Sequence, residues 1–100
     1  MSVYRPMQTQ DVDALVNSVR SKSFDSSRLS VAKQALEQSA IQADDLKRLL
    51  GTMDFETSKV ELAKFAYSHV SDPENFNRVY DTFETEAGAE LDTVRRERSL

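Results

Sequence analysis

Residues 24–36 of the chain read FDSSRLSVAKQAL, and residues 55–67 read FETSKVELAKFAY. The two segments align without gaps at an offset of 31 residues, with five of 13 positions identical and mostly like-for-like changes elsewhere. In both, the apolar residues cover nearly half of the circumference of a helix. A spacing near 31 residues is typical of helical repeat proteins, in which each unit buries its apolar face against the next.

Narrower apolar stripes lie on either side of these segments. They follow the i, i+3, i+4, i+7 spacing of an amphipathic helix and comprise Val12, Leu15, Val16 and Val19; Leu46, Leu49, Leu50 and Met53; and Phe76, Val79, Tyr80 and Phe83. With a weakly amphipathic segment near the C-terminus, the pattern predicts helices over 9–21, 26–38, 43–52, 57–70, 73–83 and 85–97.

The predicted fold is therefore all-α. We expect a compact array of about six short helices that form imperfect helix-pair repeats of about 31 residues. Residues 9–98 are predicted to form a single all-helical repeat domain, and residues 1–8 a flexible N-terminal arm. Short connections predict that successive helices pack as antiparallel neighbours.

Composition excludes several classes of protein. The 100 residues include 2 Gly, 2 Pro and no Cys, which argues against a turn-rich β-fold, a disulfide framework, a thiolate zinc site and a thiol nucleophile. The net charge of −4 disfavours binding to nucleic acid. No apolar run is long enough to span a membrane, and residues 1–6 lack the apolar stretch of a secretory signal, so we predict a cytoplasmic location.

Local signals predict where helices begin. Asp72 before Pro73 is typical of an N-cap followed by proline at the first helical position. Ser58 and Glu61 have the spacing of a capping box. On the helix surfaces, the i, i+4 spacing predicts the ion pairs Asp44–Arg48 and Glu74–Arg78.

Residues 23–35 and 55–67, together with the DPENF sequence of residues 72–76, resemble the helical family catalogued as domain of unknown function 4476. The resemblance covers roughly residues 9–92. It departs from the family at residues 83–86 (FETE), where the family usually has Phe-Ser-Phe-like residues before its last helix. The resemblance implies a small all-helical module, found alone or attached to other domains, and it implies no activity.

Candidate chemistry is sparse. The single histidine, His69, lies at the edge of an apolar helix face, where we expect a boundary side chain rather than a general base or a metal ligand. The densest acidic segment, residues 81–92, lacks the spacing of a calcium-binding loop and is predicted to be a solvated face. We therefore predict no catalytic residues, no metal site and no cofactor, and that the chain is not an enzyme.

The aromatic residues are the better candidates for function. Phe24, Phe55 and Phe83 recur at the boundaries of the helix pairs, and we predict that they pin successive pairs together. Phe65 lies on the flank of a wide apolar face, where it either extends the core or is exposed in a groove. Tyr4 lies in the predicted N-terminal arm. Tyr4 and Phe65 are therefore the candidate partner-binding residues.

Two functions remain open from the sequence. The favoured one is a non-catalytic protein–protein interaction module or small helical scaffold, which binds another protein, a peptide segment or a second copy of itself. The alternative is a small-molecule or divalent-ion binding domain that uses an interhelical pocket or the acidic segment 81–92.

Overall fold

Apolar periodicity determines where the helices lie. The structure is a computed structural model that describes residues 6–83. In this range the chain forms α1 (Thr9–Arg20), α2 (Asp25–Leu36), α3 (Ala43–Leu50) and α4 (Glu56–Ala66), then a short 3₁₀ turn (Tyr67–His69) and a 3₁₀ helix (Pro73–Thr82). The fold is all-α, as predicted. The predicted sixth helix, residues 85–97, lies outside the described residues.

The narrow stripes of the sequence form the core. All four stripe residues of α1 are buried, as are the four of the α3 segment, and Phe76 and Val79 of the 3₁₀ helix are fully buried. Around them pack the wide-faced helices α2 and α4, which contribute Leu36 and Leu62 among others. Burial of this continuous apolar surface is the main term that stabilises the fold.

Helices α2 and α4 lie side by side and run in the same direction. Contacts between them join residues 28–30 positions apart along their whole length, namely Asp25 to Phe55 at the N-terminal ends, Lys33 to Glu61 midway and Ser39 to His69 at the C-terminal ends. The two segments that align in sequence therefore stand next to each other in nearly the same register.

Short main-chain pairings join the loop after α2 to the segment before α1 and to the segment after α4. Ile41 forms an isolated parallel bridge with Val70, and Pro6 forms another with Ala40. The Met7 N–H donates to the Ala40 carbonyl at 2.8 Å, and Met7 packs against the core. The described part of the predicted N-terminal arm is thus hydrogen-bonded to the loop after α2.

The segment after α4 differs from the prediction. The apolar stripe predicts an α-helix over 73–83, whereas Pro73–Thr82 is a 3₁₀ helix. Pro73 follows the N-cap residue Asp72 as predicted, but the Asp72 carboxylate accepts the N–H of Ala43 in α3 at 2.8 Å instead of capping its own helix. With three residues per turn, Phe76 and Val79 share one face and enter the core together.

Several charged side chains pair between elements. The predicted Asp44–Arg48 and Glu74–Arg78 pairs are wrong, because Arg78 reaches Asp44 at 2.9 Å and Arg48 pairs with Asp13 of α1. The side chains are long enough to reach a neighbouring helix. Among residues 6–83, none of the helices combines the length and hydropathy needed to cross a bilayer.

Candidate interaction surface

Two phenylalanines lie on the surface at the N-terminal ends of α2 and α4. Phe24 is 73% exposed and Phe55 is 66% exposed. The prediction that both pin helix pairs together is wrong, because both side chains are exposed. Each is the N-cap residue of its helix, in extended backbone outside the first turn. Phe83, the third member of the series, is half-buried and packs against the core. We call Phe24 and Phe55 the phenylalanine edge.

A buried carboxylate connects the two phenylalanines. Asp25, which directly follows Phe24, is only 8% exposed. Its carboxylate accepts the backbone N–H groups of Asp54, at 3.1 Å, and Phe55, at 3.0 Å. It also accepts the Ser58 hydroxyl, so Ser58 bonds across to α2 and the predicted capping box with Glu61 is wrong. The start of α4 is thus held by a side chain from the start of α2.

Arg28 completes this junction. Its guanidinium donates to the carboxylates of Asp25 at 3.0 Å and Asp54 at 2.8 Å, and to the Lys22 carbonyl at 3.0 Å. One side chain therefore ties the loop before α2 to the loop before α4. Charge-assisted hydrogen bonds of this kind are stronger than neutral ones, so the backbone under the phenylalanine edge is held firmly.

The hydrogen bonds change the acidity of the buried carboxyl. Burial acts to raise the pKa of Asp25, whereas the N–H of Asp54, the Ser58 hydroxyl, the N–H of Phe55 and the Arg28 guanidinium act to lower it. The net pKa of Asp25 lies below its ordinary value of 3.8. The group is therefore ionised at neutral pH, in the form that accepts all of these hydrogen bonds.

A related arrangement occurs at the next junction. Glu56 and Lys59 stand 31 residues after Asp25 and Arg28, and the Lys59 ammonium lies 3.3 Å from the Glu56 carboxylate. The same ammonium donates to the carbonyl of Thr82 at 3.3 Å. Thr82 directly precedes Phe83, as Asp54 directly precedes Phe55, so each acid–base pair holds the residue before the next phenylalanine.

Sequence reasoning singled out the phenylalanines but missed the junction beneath them. The available signal was the acid-x-x-base spacing, which is Asp25 with Arg28 in one segment and Glu56 with Lys59 in the other. Each pair, however, contacts residues that lie about 23 to 30 positions further along the chain, and periodicity along one helix does not reveal such a contact.

Phe65 is not exposed in a groove. The ring is half-buried, packs against the core and stacks on His69 with centroids 5.3 Å apart. The Lys33 ammonium lies 5.7 Å from the ring centroid. Phe65 thus extends the core, the first of its two predicted positions, and its role in partner binding stays a prediction. His69 is half-buried at the boundary, as expected, with Nδ1 3.2 Å from the Ser39 carbonyl.

Two of the other candidate sites lie wholly or mostly outside the described residues. They are Tyr4 and the acidic segment, of which residues 84–92 are not described. Within residues 6–83, no three His, Asp or Glu side chains are grouped so that they could hold a metal ion. One cleft of about 370 Å³ lies where Asp13 of α1 meets Arg48 of α3. It is an open surface depression beside a surface ion pair.

Fold and surface together define a small all-α domain that presents paired aromatic side chains at one end of two parallel helices. The chain belongs to the family described as Domain of unknown function (DUF4476), whose model matches residues 6–92. This confirms the family predicted from the sequence. No curated protein and no solved structure matches the chain.

Proposed function

We propose that the chain is a non-catalytic protein-interaction module that contacts its partner through the phenylalanine edge. The supporting observation is the exposure of Phe24 and Phe55, at 73% and 66%. Exposed aromatic side chains rimmed by polar groups mark protein-binding surfaces, and aromatic residues dominate the energetics of such interfaces. Two charged residues, both exposed, are close to them in sequence: Lys22 comes two residues before Phe24, and Asp54 directly precedes Phe55.

The geometry under the edge favours binding. Phe24 and Phe55 have nearly the same backbone conformation, with φ, ψ of −126°, 146° and −112°, 142°. Because α2 and α4 are parallel, both side chains leave the backbone at the same end of the helix pair. The hydrogen bonds of Asp25 and Arg28 hold that backbone in place, and a surface held in its binding conformation loses less entropy on association.

The experiment compares three purified forms of the chain as bait in extracts of the source cells. They are the wild type, the Phe24→Ser/Phe55→Ser variant and a control, Glu37→Ala/Ser68→Ala, which changes two exposed positions at the opposite ends of α2 and α4. A protein captured by the wild type is then purified, and its affinity for each form is measured by titration calorimetry. We expect the phenylalanine variant to bind about tenfold more weakly or worse, and the control to bind like the wild type.

Equal affinity for all three forms would overturn the proposal. Thermal melting of each form shows that the variants are folded, which is expected because both phenylalanines are exposed. A cytoplasmic location is part of the same proposal, and fractionation of the source cells tests it.

A further inference from the structure

We propose that the partner segment recognised by the phenylalanine edge is an amphipathic α-helix. Its large apolar side chains, seven residues apart, contact Phe24 and Phe55. This inference rests on the function proposed above and narrows it to one class of partner. Three features of the edge support this inference. They are the spacing of the two residues, the hydrogen bonds of the main chain and the size of the exposed apolar area.

The spacing of the two residues fits two turns of a helix. The Asp25 carboxylate lies 3.0 Å from the Phe55 nitrogen, and Phe24 is the residue before Asp25. Covalent bond lengths then limit the Cα atoms of Phe24 and Phe55 to about 12 Å apart, and packed helices lie about 8–10 Å apart. Residues i and i+7 of an α-helix are about 10.5 Å apart on one face.

Four main-chain groups at the edge are already hydrogen-bonded. The N–H groups of Asp54 and Phe55 donate to Asp25, and the carbonyls of Phe24 and Phe55 accept N–H groups from the first turns of their own helices. An extended peptide that adds as a strand needs free main-chain donors and acceptors on its receptor. A helix satisfies its own main chain internally and needs only side-chain contacts, which are what this edge offers.

A polyproline segment fits less well, although its spacing is similar. Its backbone carbonyls have no internal partner and keep their water unless the receptor donates to them. Aromatic grooves that bind such segments commonly do so with Tyr and Trp, whose O–H and N–H groups supply a donor beside the ring. Phe24 and Phe55 have no such donor, so the two rings themselves offer apolar contact alone.

The exposed area is too small for a stable pair of identical chains. At the exposed fractions of Phe24 and Phe55, the two side chains offer roughly 300 Å² of apolar surface. A stable interface buries about 800 Å² on each partner. The edge supplies less than half of this, which suits one helix laid across two anchors better than a second copy of the domain.

The experiment selects binders from two phage-displayed peptide libraries of equal size. One presents peptides of about 16 residues held as helices by a side-chain crosslink, and the other presents unconstrained proline-rich peptides. Selection uses the wild-type chain, and the selected peptides are titrated against the wild type, Phe24→Ser/Phe55→Ser and Glu37→Ala/Ser68→Ala. We expect helical winners with apolar residues at i, i+3 or i+4, and i+7. Their affinity should fall about tenfold or more in the phenylalanine variant and stay unchanged in the control.

The outcomes separate the two proposals. Winners that come only from the proline-rich library, or no winner whose affinity depends on the phenylalanines, overturn the helix inference. A wild-type dimer in sedimentation that the phenylalanine variant abolishes also overturns it, in favour of a second copy. The proposed function itself fails only when the natural partner binds all three forms of the chain equally.

Discussion

At the scale of single residues, Asp25 is the most constrained polar group of the described chain. Its buried carboxylate accepts two backbone N–H groups, a hydroxyl and a guanidinium. We expect Asp25→Asn to lower the free energy of unfolding by about 2–4 kcal/mol, because the amide places a donor against donors and removes the charge that faces Arg28. Urea denaturation of both proteins measures this loss.

The matched control for this change is Asp54→Asn. Asp54 also pairs with Arg28, but its side chain is 66% exposed, so its loss leaves no buried donor without a partner. We expect a much smaller loss than at Asp25. Equal losses at the two positions would contradict the assignment of Asp25 as the residue that joins α2 to α4.

Asp25 also makes stability depend on pH. Because its folded pKa lies below the ordinary value of 3.8, the ionised carboxylate stabilises the fold above that pH, and the contribution disappears as pH falls through the folded pKa. We expect the difference in unfolding free energy between wild type and Asp25→Asn to be constant above about pH 5 and to shrink below 3.8. Urea titrations from pH 7 to pH 2.5 measure it, and a difference that stays constant down to pH 2.5 would refute the prediction.

At the scale of elements, Phe76 is the largest fully buried side chain of the 3₁₀ helix Pro73–Thr82. Phe76 is fully buried, with the Tyr67 and Tyr80 rings edge-on to it at centroid distances of 4.8 Å and 6.0 Å. We expect Phe76→Ala to cost about 3–5 kcal/mol in the free energy of unfolding. The same change at Phe24 is the control, with an expected effect within about 0.5 kcal/mol.

Chemical denaturation measures the loss in the free energy of unfolding for both variants. Phe76→Leu is a milder variant to use if Phe76→Ala does not fold. A large loss at Phe24 would show that this ring supports the fold, and it would weaken its assignment to a binding surface. A small loss at Phe76 would mean that the 3₁₀ helix contributes little to the core.

At the scale of elements, the sequence predicts the buried stripes but not the surroundings of Phe24 and Asp25. The stripe of α1 and the stripe of α3 are buried as the 3.6-residue period requires, because that pattern is local and leaves one apolar face to cover. The exposure of Phe24 is not predicted, because an aromatic residue before a helix packs inward or points outward according to the path of the chain, which no local pattern encodes. The burial and hydrogen bonds of Asp25 are not predicted for a related reason, since the N–H groups that its carboxylate accepts belong to a loop about 30 residues away.

At the scale of the whole molecule, ion pairs on the surface connect elements that also touch through the core. They include Lys33–Glu61, Arg48–Asp13, Arg78–Asp44 and Lys47–Asp81, and each has its acidic side chain at least half exposed. Solvent screens such pairs, and they contribute little to stability on their own. The apolar core and the junction at Asp25 should therefore carry most of the cohesion between the helices.

This division predicts the behaviour of a chain in which three of these surface pairs, Lys33–Glu61, Arg48–Asp13 and Arg78–Asp44, are removed together. Asp13→Asn/Asp44→Asn/Glu61→Gln keeps the side-chain volumes and, by the loss of three carboxylates, changes the net charge from −4 to −1. The reduced repulsion between like charges offsets part of the lost attraction, so we expect a urea midpoint within about 0.5 M of the wild type. A fall as large as that of Asp25→Asn alone would show instead that surface charge holds the helices together. In that case the wild-type midpoint should also fall steeply between low and high salt, and that of the triple variant should fall much less, because salt screens exposed ion pairs and the variant lacks three of them.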